Sequence, residues 1–155
     1  MSGSGQTLVA LGLMRALRQR NLRVQSFKCG PELADLRYHA LAADREPVSL
    51  DTWLSSRSHL QTVYNRYGEK ADVCVVEGRA GLFDGFRKTQ GSSAEMARLM
   101  KIPVVIVVSA RNAEYCGRGS ISGFSSAGCG FSVGVSTVCA EDTVSNFMAG
   151  RSTLF

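Results

Sequence analysis

The sequence predicts an α/β domain built on a parallel sheet with crossover helices. Amphipathic helical segments alternate with short β-branched runs over the first two thirds of the chain, in the order helix, strand, helix, strand, helix, strand. Two of the runs, 72–78 (DVCVVEG) and 103–110 (PVVIVVSA), have the continuous apolar character of strands buried on both faces. The length of 155 residues, with 45% hydrophobic and 20% charged content, is enough for one globular unit with a core of its own.

In TLVALGLMRALRQR (7–20), Ala10, Leu13, Met14 and Leu17 share one face, and arginines gather toward the end. This predicts a helix whose cations suit its C-terminal dipole, with Asn21 as its stop. VQSFK (24–28) predicts a strand that ends in the loop Cys29-Gly30-Pro31. Residues 32–56 show no long period and contain Pro47, so short helical turns and a surface excursion are expected. Leu60, Val63, Tyr64 and Tyr67 predict a helix over 58–68, and Met96, Ala97, Leu99 and Met100 predict another over 93–101. Beyond Arg111 the chain is rich in glycine and serine, and irregular structure with one strand near 131–138 is expected.

Composition narrows the function classes. No apolar run approaches the roughly 18 residues a spanning helix requires, and no charged segment followed by an apolar one marks a secretory signal, so no membrane partner and a cytoplasmic location are expected. The five cysteines, Cys29, Cys74, Cys116, Cys129 and Cys139, form no C-x-x-C pair and read as reduced thiols. A net charge of +5 with no aromatic-basic motif gives no support to nucleic-acid binding, and the arginines at 15, 18, 20 and 23 read as the wet face of a helix and its following turn.

The opening MSGSGQT reads either as part of a phosphate-binding loop, with Gln6 in the usual lysine position, or as a glycine-serine linker without chemistry. A phosphate loop must run directly into a helix, whose unpaired N–H groups and dipole hold the anion, and Thr7 does lead into one. Such a loop also needs a strand ending in a carboxylate, and 72–78 ends in Glu77-Gly78. Both expectations favour the loop.

The runs SGSGQT, FKCGPELADLRYH (27–39), SLDTWL (49–54), VVEGRAGLFDG (75–85) and GSSAEMARL (91–99) resemble, in order and spacing, the successive motifs of the cobyrinic acid a,c-diamide synthase family. The resemblance runs from Ser2 to about Arg111, and its V-E-G-x-x-G-L-F-D-G block is specific to that family. It implies a three-layer fold like that of dethiobiotin synthetase, a P-loop NTPase-like amidoligase domain over 1–155. It also implies ATP and Mg²⁺ as cofactors and a corrin substrate, whose a- and c-acetate groups are amidated through an acyl phosphate in cobalamin biosynthesis. By the same resemblance Gly3, Ser4, Gly5, Gln6 and Thr7 bind nucleotide phosphates, Thr7, Glu32 and Glu77 bind metal, and Asp35 and Asp84 serve catalysis beside the corrin. Tyr38 and His39 read as packing residues.

Several departures from the family pattern qualify this reading. The strand before the loop is expected to be missing from the sheet. Gln6 carries no charge where the family has lysine, and Glu32 is one methylene longer than the family's aspartate. The segment that meets the nucleotide base is not recognisable. No glutaminase domain is expected, so nitrogen would come from a separate glutaminase or from free ammonia, and exposed sheet edges favour pairing with another copy, as a homodimer, or with a partner, or else aggregation. The alternative is a non-catalytic nucleotide-binding or regulatory paralogue with a degenerate loop.

Overall fold

The computed structural model describes residues 5–79, 81–109 and 134–138, in two units. In the first, β1 (Val24–Cys29) is the central strand of a parallel sheet, with β2 (Val48–Leu50) on one side and β3 (Val73–Glu77) on the other. All six residues of β1 are buried. Helices α1 (Gln6–Gln19), α2 (Leu36–Ala43), α3 (Arg57–Gly68) and α4 (Ser93–Met100) complete this unit.

Side-chain alternation along the strands divides the helices into two layers. On one face Val24, Val73 and Val75 pack with Met14 and Leu17 of α1 and with Ala42 and Ala43 of α2. On the other face Phe27, Cys29, Cys74 and Val76 pack with Leu60 and Val63 of α3 and with Met96 and Leu99 of α4. The order is helices, sheet, helices, the three-layer α/β arrangement expected from the alternation of periods.

The helix ends follow their local chemistry. Asn21, just past α1, takes the left-handed conformation (φ 62°), and Asp44 does the same after α2 (φ 51°). The hydroxyls of Ser56 and Ser92 cap α3 and α4 by accepting from the N–H groups of His59 and Glu95. Glu95 in turn reaches back to the Gly91 N–H at 2.5 Å.

Residues 32–56 are more ordered than their sequence suggests. A 3-10 turn (Leu33–Asp35) runs into the two turns of α2, and β2 adds a third strand that pairs Phe27 with Val48 and Cys29 with Leu50. Three residues are too few to show a period, and the buried end of β2, Leu50, is fully enclosed.

The second unit contains β4 (Val105–Ser109) and β5 (Gly134–Val138), paired in parallel from Val105 with Gly134 to Ser109 with Val138. The strand expected over 103–110 is thus present in a shorter form, as is the one near 131–138. The remaining expectations for 110–133 and 139–155, including those for Cys116, Cys129 and Cys139, fall outside the described residues.

Candidate active site

Parallel pairing sets Lys28 beside Glu77, because the register of β1 and β3 ends on that pair. Both lie at the C-terminal edge of the sheet, where open α/β sheets bind ligands. Alternation aims both at the α1 and α2 layer, on the face that Val24 and Val75 define deeper in the sheet. The Lys28 ammonium donates to Glu77 Oε1 at 2.9 Å. Thr7, in the first turn of α1, donates its hydroxyl to the same oxygen at 2.6 Å. His39 of α2 meets the other oxygen, Nε2 to Oε2, at 2.6 Å. Three elements therefore converge on a carboxylate carried by a fourth.

Lys28 also meets Asp35 at 3.1 Å and Glu32 at 3.2 Å, so three carboxylates surround one ammonium. Exposure grades outward: the Glu77 side chain is 1% exposed, Asp35 28% and Glu32 51%. Burial acts against the charged form of Glu77, but hydrogen bonds from His39, Thr7 and Lys28 outweigh it and hold the carboxyl down at about 2. Burial likewise disfavours the Lys28 ammonium, yet its bonds to Glu77, Asp35 and Glu32 keep its pKa above the ordinary lysine value. The pair is therefore ionised at neutral pH.

Around this centre the backbone is tightly fitted. The Gln6 side-chain amide donates to the Gly78 carbonyl at 2.9 Å, and Ser93 Oγ accepts from the Arg79 N–H at 2.8 Å. A Cβ on Gly78 would stand 2.6 Å from Ser93 Oγ, so only glycine lets the chain leave β3 between α1 and α4. Two clefts of about 290 and 340 Å³ lie elsewhere, one bordered by Gln61 and Leu99 and the other by Gly68 and Cys74, with Tyr64 and Asn65 in both. They belong to the α3 and α4 layer and contain none of the acid cluster. Burial pushes the Cys29 thiol up to about 12 and raises that of Cys74, so neither is a thiolate nucleophile at neutral pH.

A helix N-terminus, a hydroxyl, a lysine and a strand-end carboxylate thus meet at one edge of the sheet. Residues 1–133 match the model of the CobQ/CobB/MinD/ParA nucleotide binding domain. The chain belongs to this family. A cobyrinate a,c-diamide synthase of Picrophilus torridus is 45% identical over 109 residues, covering 69% of this chain and 24% of that protein. A hydrogenobyrinate a,c-diamide synthase of Rhodobacter capsulatus is 41% identical over 127 residues, covering 79% and 29%. A cobyrinate a,c-diamide synthase of Listeria monocytogenes is 37% identical over 126 residues, covering 79% and 28%. The chain thus spans about a quarter of the length of these relatives.

Within this nucleotide-binding domain, Thr7, Glu32, Asp35 and Glu77 all belong to the cluster around Lys28. Gln6 adjoins it through Gly78. Gly5 precedes α1 with φ 78°, while Gly3 and Ser4 lie outside the described residues. Asp84 does not join the cluster: it is exposed and folded over Gly81, where a Cβ would overlap its carboxylate. Neither Glu32 nor Asp35 makes a side-chain cap at the turn or at α2.

His39 is corrected from a packing residue to a partner of Glu77. Tyr38, also read as a packing residue, is instead exposed, because α2 turns it away from the sheet. The signal for His39 was its place on the buried stripe of α2 with Ala43, where a polar ring requires a partner. Lys28 was passed over as the last residue of a strand. Its alternation with Val24 and Ser26 on a buried face was the sign that a lysine there is paired.

Proposed function

We propose that this chain is the ATP-binding part of a synthase that amidates the a- and c-acetate side chains of cobyrinic acid in cobalamin biosynthesis. The observation that carries the reading is the meeting of Thr7 and Lys28 on one oxygen of Glu77, beside the N-terminus of α1. The free N–H groups of that helix end would hold nucleotide phosphates, and Lys28 would supply the positive charge that Gln6 lacks. Transfer of the γ-phosphoryl group from ATP to an acetate oxygen of the substrate releases ADP and makes the acyl carbon electrophilic. Ammonia then attacks that carbon and inorganic phosphate leaves. Asp35 and Asp84 would act beside the corrin. The relatives' names and the family's nucleotide-binding domain support this reading.

The oxygen donors Thr7, Glu32 and Glu77 suit a hard divalent cation such as Mg²⁺, which would neutralise phosphate charge when bound. As the side chains stand, no three His, Cys, Asp or Glu groups among the described residues are grouped to hold a metal ion, and Lys28 lies among the three acids. Among those residues no helix is long and apolar enough to cross a membrane. We extend the proposal to a cytoplasmic enzyme that draws nitrogen from a glutaminase domain or from free ammonia and works alone or as a homodimer.

One observation favours the second reading, a non-catalytic nucleotide-binding or regulatory paralogue. Gln6 is neutral, and its amide is already bonded to the Gly78 carbonyl. ATP affinity measured with and without Mg²⁺ for wild type, Glu77→Gln and Gln6→Lys tests the proposal. Magnesium should strengthen ATP binding to wild type, fail to do so for Glu77→Gln, and do so more for Gln6→Lys. Equal Mg-ATP binding by wild type and Glu77→Gln would remove the metal role of Glu77. Mg-ATP binding without ADP formation in the presence of cobyrinic acid and ammonia would favour the paralogue.

A further inference from the structure

Trp53 and Phe86 meet edge to face, with ring centroids 5.0 Å apart and planes at 86°, yet neither ring belongs to the core. Trp53 is 69% exposed and its neighbour Leu54 78%. Two large apolar side chains standing together in water mark a surface that meets another molecule. The pair is nevertheless held in place. The Trp53 N–H donates to Asp51 Oδ1 at 2.8 Å. A Cβ on Gly91 would stand 2.4 Å from Phe86 Cδ1 and 3.0 Å from Thr52 Oγ1, so Phe86 and Thr52 both rest against that glycine. Trp53 follows β2 and Phe86 follows β3, which puts the rings at the C-terminal edge of the sheet, the edge that also carries Lys28 and Glu77.

Cations rim this surface. Arg79, just past β3, is half-buried, and a Cβ on Gly30 would stand 2.8 Å from its Cδ and 3.2 Å from its Nε. The Gly30 N–H donates to the Leu50 carbonyl at 3.0 Å, so Arg79 and the loop carrying Trp53 both border Gly30. Arg87 and Lys88, directly after Phe86, are exposed. Among the described residues none of these three cations makes an ion pair. An aromatic seat beside uncommitted cations suits a broad ring with an apolar face and carboxylate arms: the face covers the aromatic side chains, and the arms meet the cations. We propose that Trp53 and Phe86 seat the macrocycle of the corrin substrate and that Arg79 receives one of its carboxylate arms. This rests on the corrin reading above and adds the residues that hold the ring. Asp84, exposed two residues before Phe86, belongs to the same loop.

Trp53 is the chain's single tryptophan, so the seat carries its own probe. Cobyrinic acid titrated into the full chain, with and without Mg-ATP, should quench Trp53 emission to saturation. Equilibrium dialysis, read by the corrin's visible absorbance, should show binding at least about tenfold weaker for Trp53→Ala, with little change in melting temperature because the side chain stands outside the core. Wild type should prefer cobyrinic acid to its fully amidated form, which has the same ring without charged arms, and Arg79→Gln should lose that preference. Binding that leaves Trp53 emission unchanged and that Trp53→Ala does not weaken overturns the seat while leaving the corrin reading in place. Equal binding of the acid and the amidated form by wild type rejects the role of Arg79, even should Arg79→Gln fail to fold. No binding of cobyrinic acid to wild type in either condition overturns the corrin reading as well. A dimer that Trp53→Ala dissolves in sedimentation and that cobyrinic acid does not disturb assigns the surface to a second copy and rejects the proposal.

Discussion

His39 Nε2 and Glu77 Oε2 lie 2.6 Å apart, with both side chains shut off from solvent. This contact ties α2 to β3 across 38 positions of sequence, and it leaves His39 Nδ1 without a partner among the described residues. Removing the ring leaves a buried carboxylate oxygen unsatisfied. His39→Leu should therefore destabilise the fold by about 1–3 kcal/mol, and His39→Gln, which keeps a donor, by less. Urea unfolding of the three proteins measures both, and equal stability would show the contact to be energetically idle.

The depressed Glu77 carboxyl makes stability depend on acid. The unfolded chain takes up this proton near the ordinary value of 4.5, the folded chain only near 2. The contribution is complete above 4.5 and is lost as pH falls from there to about 2; it is of the order of 3 kcal/mol at most. Denaturation at pH 6, 4 and 3 should show this decline in wild type and a flatter one in Glu77→Gln. Lys28 acts on the opposite limb, since its raised pKa stabilises the fold below the ordinary lysine value and ceases to as pH rises past its folded one.

Gly85 allows the loop after β3 to close on itself. Its N–H donates to the Lys88 carbonyl at 2.8 Å and the Phe86 N–H to the Gln90 carbonyl at 2.9 Å. A Cβ at Gly85 would overlap the Gln90 carbonyl, a backbone group that cannot swing aside. Gly85→Ala should open the loop at a cost of about 1–3 kcal/mol and disturb the edge contact of Phe86 with Trp53, whose ring centroids are 5.0 Å apart. Trp53 is the chain's single tryptophan, so its fluorescence reports the change directly.

β2 is short, but Leu50 is fully buried among Phe27, Cys29, Leu60 and Met96. Leu50→Ala should cost about 2–5 kcal/mol, as for other enclosed leucines. Val48, which is only partly buried, should tolerate alanine better. Thermal unfolding of both variants compares them, and a harmless Leu50→Ala would mean that β2 is not part of the core.

The strong periods were legible in the sequence. Leu13, Met14 and Leu17 mark α1, Leu60, Val63 and Tyr64 mark α3, and the run to Glu77 marks β3, because these elements meet a helix layer or a sheet along their whole length. The parallel α/β class and the family resemblance followed from their order and from the blocks at 27–39 and 75–85. Glu77 was legible too, since a carboxylate closing a buried strand demands partners.

What tertiary structure alone decided is which groups those partners are. Register, a property of two paired strands, sets Lys28 opposite Glu77. The packing of α2 on β1 and α1 brings His39 from a helix whose eight residues show little period of their own. β2 was hidden for a similar reason: three residues gain their identity from hydrogen bonds to β1, not from any local preference. Local patterns along the chain specify the layers and the acid at their edge. Long-range pairing decided that this acid is enclosed, ionised and held by a lysine, because burial and charge compensation depend on neighbours that are distant along the chain.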